Sequence, residues 1–228
     1  LVSINLRSTG ISSDGMSALG SALASGAARA LQDLDLSHNG LGADGGAALG
    51  RMLESDRMTL KKLVLYGCRL ADEGTARLAR GIAGHAKLET LDLSQNDISE
   101  LGATALSRAL VHNGRLACVS LACNRLDIAS AHALAEPIRI SGSLTSLDLT
   151  NNPLLGPDGT QVLGDALAGG SHELVARLER KRETALVEPS LAFYDRVEEE
   201  TTSARAARIA SERHQEAVAP RAATQAAR

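Results

Sequence analysis

The sequence predicts an α/β fold of the solenoid type: an open curve with parallel strands on its concave side, helices on its convex side, and a helical C-terminal extension. Three observations carry this expectation. One eleven-residue phrase occurs six times, as LVSINLRSTGI, LQDLDLSHNGL, LKKLVLYGCRL, LETLDLSQNDI, LACVSLACNRL and LTSLDLTNNPL. The phrases begin at Leu1, Leu31, Leu60, Leu88, Leu116 and Leu144, which puts 30, 29, 28, 28 and 28 residues between successive starts. Between phrases, leucines recur four residues apart. A fixed period in this range marks stacked supersecondary units.

Each phrase opens with apolar residues on alternate positions, such as Leu34 and Leu36, Leu91 and Leu93, and Leu147 and Leu149. A period of two is a short strand with one buried face. Asn39, Asn96, Asn124 and Asn152 follow at a constant offset. Their amides are expected to turn the chain inward and pair backbone groups that would otherwise be buried unsatisfied, at ~1–3 kcal/mol each. Thr9 and Cys68 take that slot in the first and third repeats, and the ladder is imperfect there.

A glycine comes next in most repeats: Gly15, Gly45, Gly74, Gly102 and, one residue late, Gly159, with Ser130 in its place in the fifth. The delay in the sixth repeat, within NNPLLGPDG, predicts a local loop bulge. Leu19 and Leu23, Leu49 and Leu53, Leu106 and Leu110, and Leu163 and Leu167 then share one helical face. Each repeat is therefore expected to be one strand and one helix of about three turns. A lone repeat cannot cover its own apolar face, so the repeats must stack. The expected domains are six repeats over 1–170 and a helical, partly flexible cap and tail over 171–228.

These phrases, and segments such as LDLSQNDISELGATALSRAL from Leu91 to Leu110, resemble leucine-rich repeats of the ribonuclease-inhibitor class. The resemblance covers residues 1 to about 170 and is specific for the fold. The family includes enzyme inhibitors, activators of small GTPases, innate-sensor domains, and cytoskeletal or ciliary scaffolds. Its best-known mammalian inhibitor is longer and rich in cysteine, whereas this chain has three Cys.

A net charge of −3 gives no electrostatic case for nucleic acid or an anionic membrane. No apolar run approaches the ~18 residues of a membrane span, and the N-terminus lacks a signal-peptide pattern. An odd number of cysteines without framework spacing points to a reducing, intracellular, cytoplasmic setting. The cytoskeleton and the cilium are settings the resemblance implies. Leu1 is already in register with a repeat, and Leu1, Ile4, Leu6 and Ile11 border an end that terminal repeats normally cap. Further repeats, a cap or a partner chain are expected upstream.

After Gly170 the character changes. SHELVARLERKRETALVEPS begins with a Leu174–Leu178 helical pair, lacks the strand phrase, and is expected to cap the last repeat as a helix. Pro189 ends it, and a second helix is expected from Ser190 to about Val218. Ten basic and ten acidic residues balance over 171–228.

Outward strand residues form columns on the concave face: Asn5, Asp35, Val64, Asp92, Ser120 and Asp148, flanked by Arg7, Asp33, His38, Lys62, Tyr66, Thr90 and Thr150. Asp33, Asp35, His38, Tyr66, Asp92 and Asp148 are the candidate partner-binding set, a mildly acidic surface suited to a basic partner. Against this, LDLS is ordinary wording for such a repeat. Tyr66, the aromatic of the repeat region, is expected to point outward, and aromatics are enriched at binding hot spots. In the tail, Leu191, Tyr194 and Val197 lie on one narrow face and Phe193 adjoins Tyr194; they either fold the tail back onto the solenoid or anchor a neighbouring protein, with disorder a third alternative. The six His show no zinc spacing, and no phosphate loop, nucleophile elbow or dinucleotide fingerprint occurs. No catalytic, cofactor or metal site is expected.

The expected function is a non-catalytic protein–protein interaction scaffold, a structural subunit of a larger intracellular assembly with other proteins as partners. Two alternatives stay open: a regulator of a small GTPase resembling the Ran-activating family, and the sensor repeats of a larger receptor.

Overall fold

The computed structural model describes residues 1–169 and 175–177. The chain divides into two compact units, Leu1–Thr184 and Ala185–Arg228, and every described residue belongs to the first. Its strands are β1 (Ser3–Asn5), β2 (Asp33–Asp35), β3 (Lys62–Val64), β4 (Thr90–Asp92), β5 (Cys118–Ser120), β6 (Ser146–Asp148) and β7 (Val175–Arg177). Between them run α1 (Ser13–Ala22), α2 (Gly42–Leu53), α3 (Ala71–Gly84), α4 (Glu100–His112), α5 (Ile128–Ile140) and α6 (Gly156–Ala168). All seven strands pair in parallel, in sequence order. The expected α/β solenoid, strand and helix alternating through stacked repeats, is what the chain forms.

The register is set by the inward apolar position. Ile4, Leu34, Leu63, Leu91, Val119 and Leu147 stand in one row across β1 to β6, and from Leu34 onward they are essentially fully buried. Leu36, Leu65, Leu93, Leu121 and Leu149 form a second row at 0% exposure, met from the helix side by Leu49, Leu78, Leu106, Leu134 and Leu163, also at 0%. The core is thus a continuous slab between the sheet and the helix layer.

Asparagine stitches the rungs. Asn124 donates to Leu93 O and Leu121 O at 3.0 and 2.9 Å and accepts from Asn96 N and Ile98 N at 2.9 and 3.1 Å. Asn96 and Asn152 bond their preceding repeats in the same way. Asn39 reaches Leu6 O and accepts from Ile11 N. In the third repeat Cys68 keeps only part of this role. Its thiol donates to Leu36 O at 3.2 Å, while Leu41 N, lacking an amide oxygen to meet, bonds Cys68 O at 3.1 Å instead. Burial pushes the Cys68 thiol up to about 12.

The recurrent glycine is a matter of space. A Cβ on Gly45 would stand 2.5 Å from Leu41 Cβ, and one on Gly102 would stand 2.7 Å from Ile98 Cγ2. Ser130 is accommodated because α5 starts differently: Asp127 accepts from Ser130 N at 2.9 Å while Ser130 Oγ accepts from Asp127 N at 3.2 Å. That reciprocal cap satisfies two helix-end donors at once. It also lowers the Asp127 pKa, chiefly through the Ser130 N–H.

The C-terminal side needs a correction. Val175–Arg177, expected inside a capping helix, is a strand in register with β6, pairing Ser146 with Val175 and Asp148 with Arg177. The physical reason is the open edge of β6, whose backbone groups are satisfied by one more parallel strand. The remainder of the expected cap and tail helices lies outside the described residues.

Candidate interaction site

The outward strand positions end in a repeated turn that explains the aspartates. Asp35, Asp92 and Asp148 each accept a hydrogen bond from the backbone N–H two residues on: Ser37 N at 2.9 Å, Ser94 N at 2.8 Å and Thr150 N at 3.0 Å. Asn5 does the same for Arg7 N at 3.0 Å. The acidic column therefore has a structural task at the strand ends, where the N–H points away from the ladder.

Just past that turn the backbone enters the left-handed region in every repeat, at Ser8, His38, Gly67, Gln95, Cys123 and Asn151, with φ between 54° and 64°. Only the third repeat uses glycine there. With no side chain at Gly67, the His38 ring leans across the gap. Its Nδ1 lies 3.1 Å from where a Gly67 Cβ would stand, with Gln95 Oε1 at 3.7 Å on the other side. The His38 ring meets Tyr66 edge-on, centroids 4.9 Å apart, a favoured geometry for such rings.

Accessibility along the concave columns is uneven. Asp33 and Asp35 are half-buried and His38 is exposed. Tyr66, expected to be exposed, is 7% exposed, and Asp92 and Asp148 are 0% and 3% exposed. Strands ~4.8 Å apart let column neighbours shield one another; Asp92 stands between Val64 and Ser120, both buried. By register Asp35 and Asp92 flank Val64 on either side, and Asp33 stands opposite Lys62 at the other end of the strand pair; Asp33, Asp35 and His38 stay accessible, whereas Tyr66, Asp92 and Asp148 are buried. Leu191, Phe193, Tyr194 and Val197 lie outside the described residues. No group of three His, Cys, Asp or Glu that could hold a metal ion occurs among the described residues, and none of the described helices is long and apolar enough to cross a membrane.

Two features escaped the sequence reading. His85, Asn113 and Ser141, 28 residues apart, cap the turn from helix to next strand. Their side chains accept from Leu88 N at 3.0 Å, Leu116 N at 2.9 Å and Leu144 N at 3.2 Å. The signal was a polar residue three before the phrase-opening leucines of the last three repeats; Ala28 holds that place before Leu31. Burial, with the nearby Lys87 charge, holds the His85 pKa below its usual 6.5. Secondly, Asp72 of α3 caps α4 across the repeat boundary, accepting from Ser99 N at 2.7 Å and Gly102 N at 3.0 Å.

A family model described as leucine-rich repeat matches residues 1–20, 28–50, 84–107 and 143–164. Those segments hold the first, second, fourth and sixth repeats; the two passed over are the ones carrying Cys68 and Ser130. These four units are similar to leucine-rich repeats, the stacked fold carries the same strand–helix unit through the third and fifth, and such repeats form a non-catalytic protein–protein interaction module. No curated protein matches the chain. Among solved structures it is similar in fold to one described as leiomodin-1 actin-binding site 2, with a TM-score of 0.53 at 13% identity, over 75% of this chain and 96% of that one.

Proposed function

We propose that the chain is a structural subunit of a larger intracellular assembly, with repeats of the ribonuclease-inhibitor class presenting their strand face to a partner protein. The observation that supports this reading is the cluster on the second and third repeats. Asp33 and Asp35 lie half-buried on β2, and the exposed His38 just past it holds its ring against Tyr66, on a sheet whose other face is consumed by the core. A half-buried acidic patch around an aromatic contact suits a basic partner surface, since such pairs add specificity and speed encounter. Leu191, Phe193, Tyr194 and Val197, in a tail proposed to follow β7, are the contacts for a second protein. A cytoplasmic setting, at the cytoskeleton or in a cilium, fits such a subunit.

The test is charge reversal. Asp33→Lys with Asp35→Asn, which keeps an acceptor for Ser37 N as Asn5 does for Arg7 N, is expected to lower partner recovery in affinity capture at least tenfold while the thermal midpoint moves little. Recovery unchanged by the double variant would remove this face from the account. Co-sedimentation with filamentous actin and stimulation of a small GTPase's hydrolysis are the two further arms: the first outcome favours a cytoskeletal scaffold, the second a GTPase regulator.

A further inference from the structure

We infer that the edge where strands turn into helices, over the fourth to sixth repeats, is a second docking surface, and that its occupant is a basic amphipathic helix of a partner protein. Three apolar side chains stand exposed there: Leu101 at 71%, Ile128 at 43% and Leu154 at 58%. Singly, exposed aliphatics are unremarkable. These three are one per repeat in consecutive repeats, on neighbouring elements: α4 packs on α5, and α5 on the turn Pro153–Leu155 that carries Leu154.

Each of the three also departs from the repeat pattern. The residue before the recurrent glycine or serine is Asp14, Asp44, Glu73, Leu101, Ala129 and Asp158 in turn. Acids belong at that first-turn position because they complement the helix dipole; Leu101 forgoes that gain and is left in water. The position one earlier holds Ser13, Ala43, Asp72, Glu100, Ile128 and Pro157, and Ile128 is the exception there. Leu155 is buried at 4% in the sixth repeat, as Leu126 is at 0% in the fifth. Leu154 is therefore the extra residue of the sixth repeat. Folding does not require these three residues to be apolar.

Charge and spacing select the occupant. Among the described residues Asp97, Glu100 and Asp158 are exposed around the row, against Arg125 and, one repeat before Asp97, Arg69, so the rim is acidic on balance and favours Lys and Arg on the partner. Neighbouring helices pack ~10 Å apart, which matches two turns of a helix laid across them, ~10.5 Å. Apolar anchors about seven residues apart on a partner helix would therefore meet all three positions. An extended strand covers ~10 Å in about three residues, and alternate side chains then face opposite ways.

The probe is a fluorescent peptide of about 18 residues made of leucine and lysine in helical amphipathic order, titrated into the full chain and followed by anisotropy. Its acidic counterpart, with glutamate for lysine, is the control. The wild type is expected to bind the basic peptide and not the acidic one. Leu101→Asp with Ile128→Ser and Leu154→Ser is expected to weaken binding at least tenfold without lowering the thermal midpoint, because Leu101→Asp restores the acid of that column. Binding retained by the triple variant, equal binding of the acidic peptide, or no binding of the basic one would each overturn the proposal. So would wild-type self-association that the triple variant abolishes, which would make a second copy the occupant.

Discussion

At the scale of single residues, the side chains that hold the fold are buried polar groups with dedicated partners. His85 is 4% exposed, and its Nδ1 accepts the Leu88 N–H, an arrangement that needs the neutral ring. Because its folded pKa lies below 6.5, the ring is neutral in both states at higher pH. As pH falls through 6.5, the unfolded chain takes up the proton first, so stability drops until the folded value is also passed. Urea midpoints at pH 7.5 and pH 5 should show the loss, and His85→Asn, which copies the residue at position 113, should reduce it. An equal loss in the variant would place the pH sensitivity elsewhere. The asparagine ladder gives a second expectation. Asn124→Ala orphans buried groups on two repeats and should cost ~3 kcal/mol or more, whereas Cys68→Ala removes one weak donor and should cost ~1 kcal/mol; urea unfolding of both variants checks the ratio. The Asn slot was legible in the sequence because it recurs within a fixed phrase. His85 was not, because His, Asn and Ser do the same work at that position and no single letter repeats.

At the scale of elements, the helices are placed by how closely they can approach. A Cβ on Gly81 would stand 2.2 Å from Gly50 O, and one on Gly46 would stand 2.3 Å from Gly74 O, so α2 and α3 meet backbone to backbone. Gly81→Ala must push them apart and should destabilise by several kcal/mol, in line with the upper range for overpacked sites. Gly164 in α6 has nothing within 4 Å of such a Cβ; Gly164→Ala should stabilise by ~0.5–1 kcal/mol. Thermal melts of the two variants, moving in opposite directions, check the claim. Strands and helices were readable because apolar periods of two and of three to four alternate without ambiguity. β7 was not: LVAR has no leucine phrase, and it is a strand because β6 offers it an unpaired edge. Tertiary context there overrides a local helical pattern.

At the scale of the whole molecule, stacking decides what is left for binding. The inward rows and the asparagine ladder absorb most of each phrase, and the aspartate turns absorb much of the outward face. That is why the acidic column looked like one surface in the sequence. It divides in three dimensions: Asp33 and Asp35 stay partly accessible, while Asp92 and Asp148 become interior groups. Alternation along a strand tells which way a side chain points, but not how far its column neighbours cover it. The apolar edge of Leu101, Ile128 and Leu154 is not legible in the sequence, because each is an exception in a different column and its exposure is set by the stacking of the helices. The most direct measurement is cross-linking mass spectrometry on the native protein in cell extract, using Lys61 and Lys62, which stand beside the second- and third-repeat cluster. The account predicts reproducible links from these lysines to one fixed set of partner proteins, lost in the Asp33→Lys, Asp35→Asn variant. Links to no stable partner, or links indifferent to that variant, would contradict it.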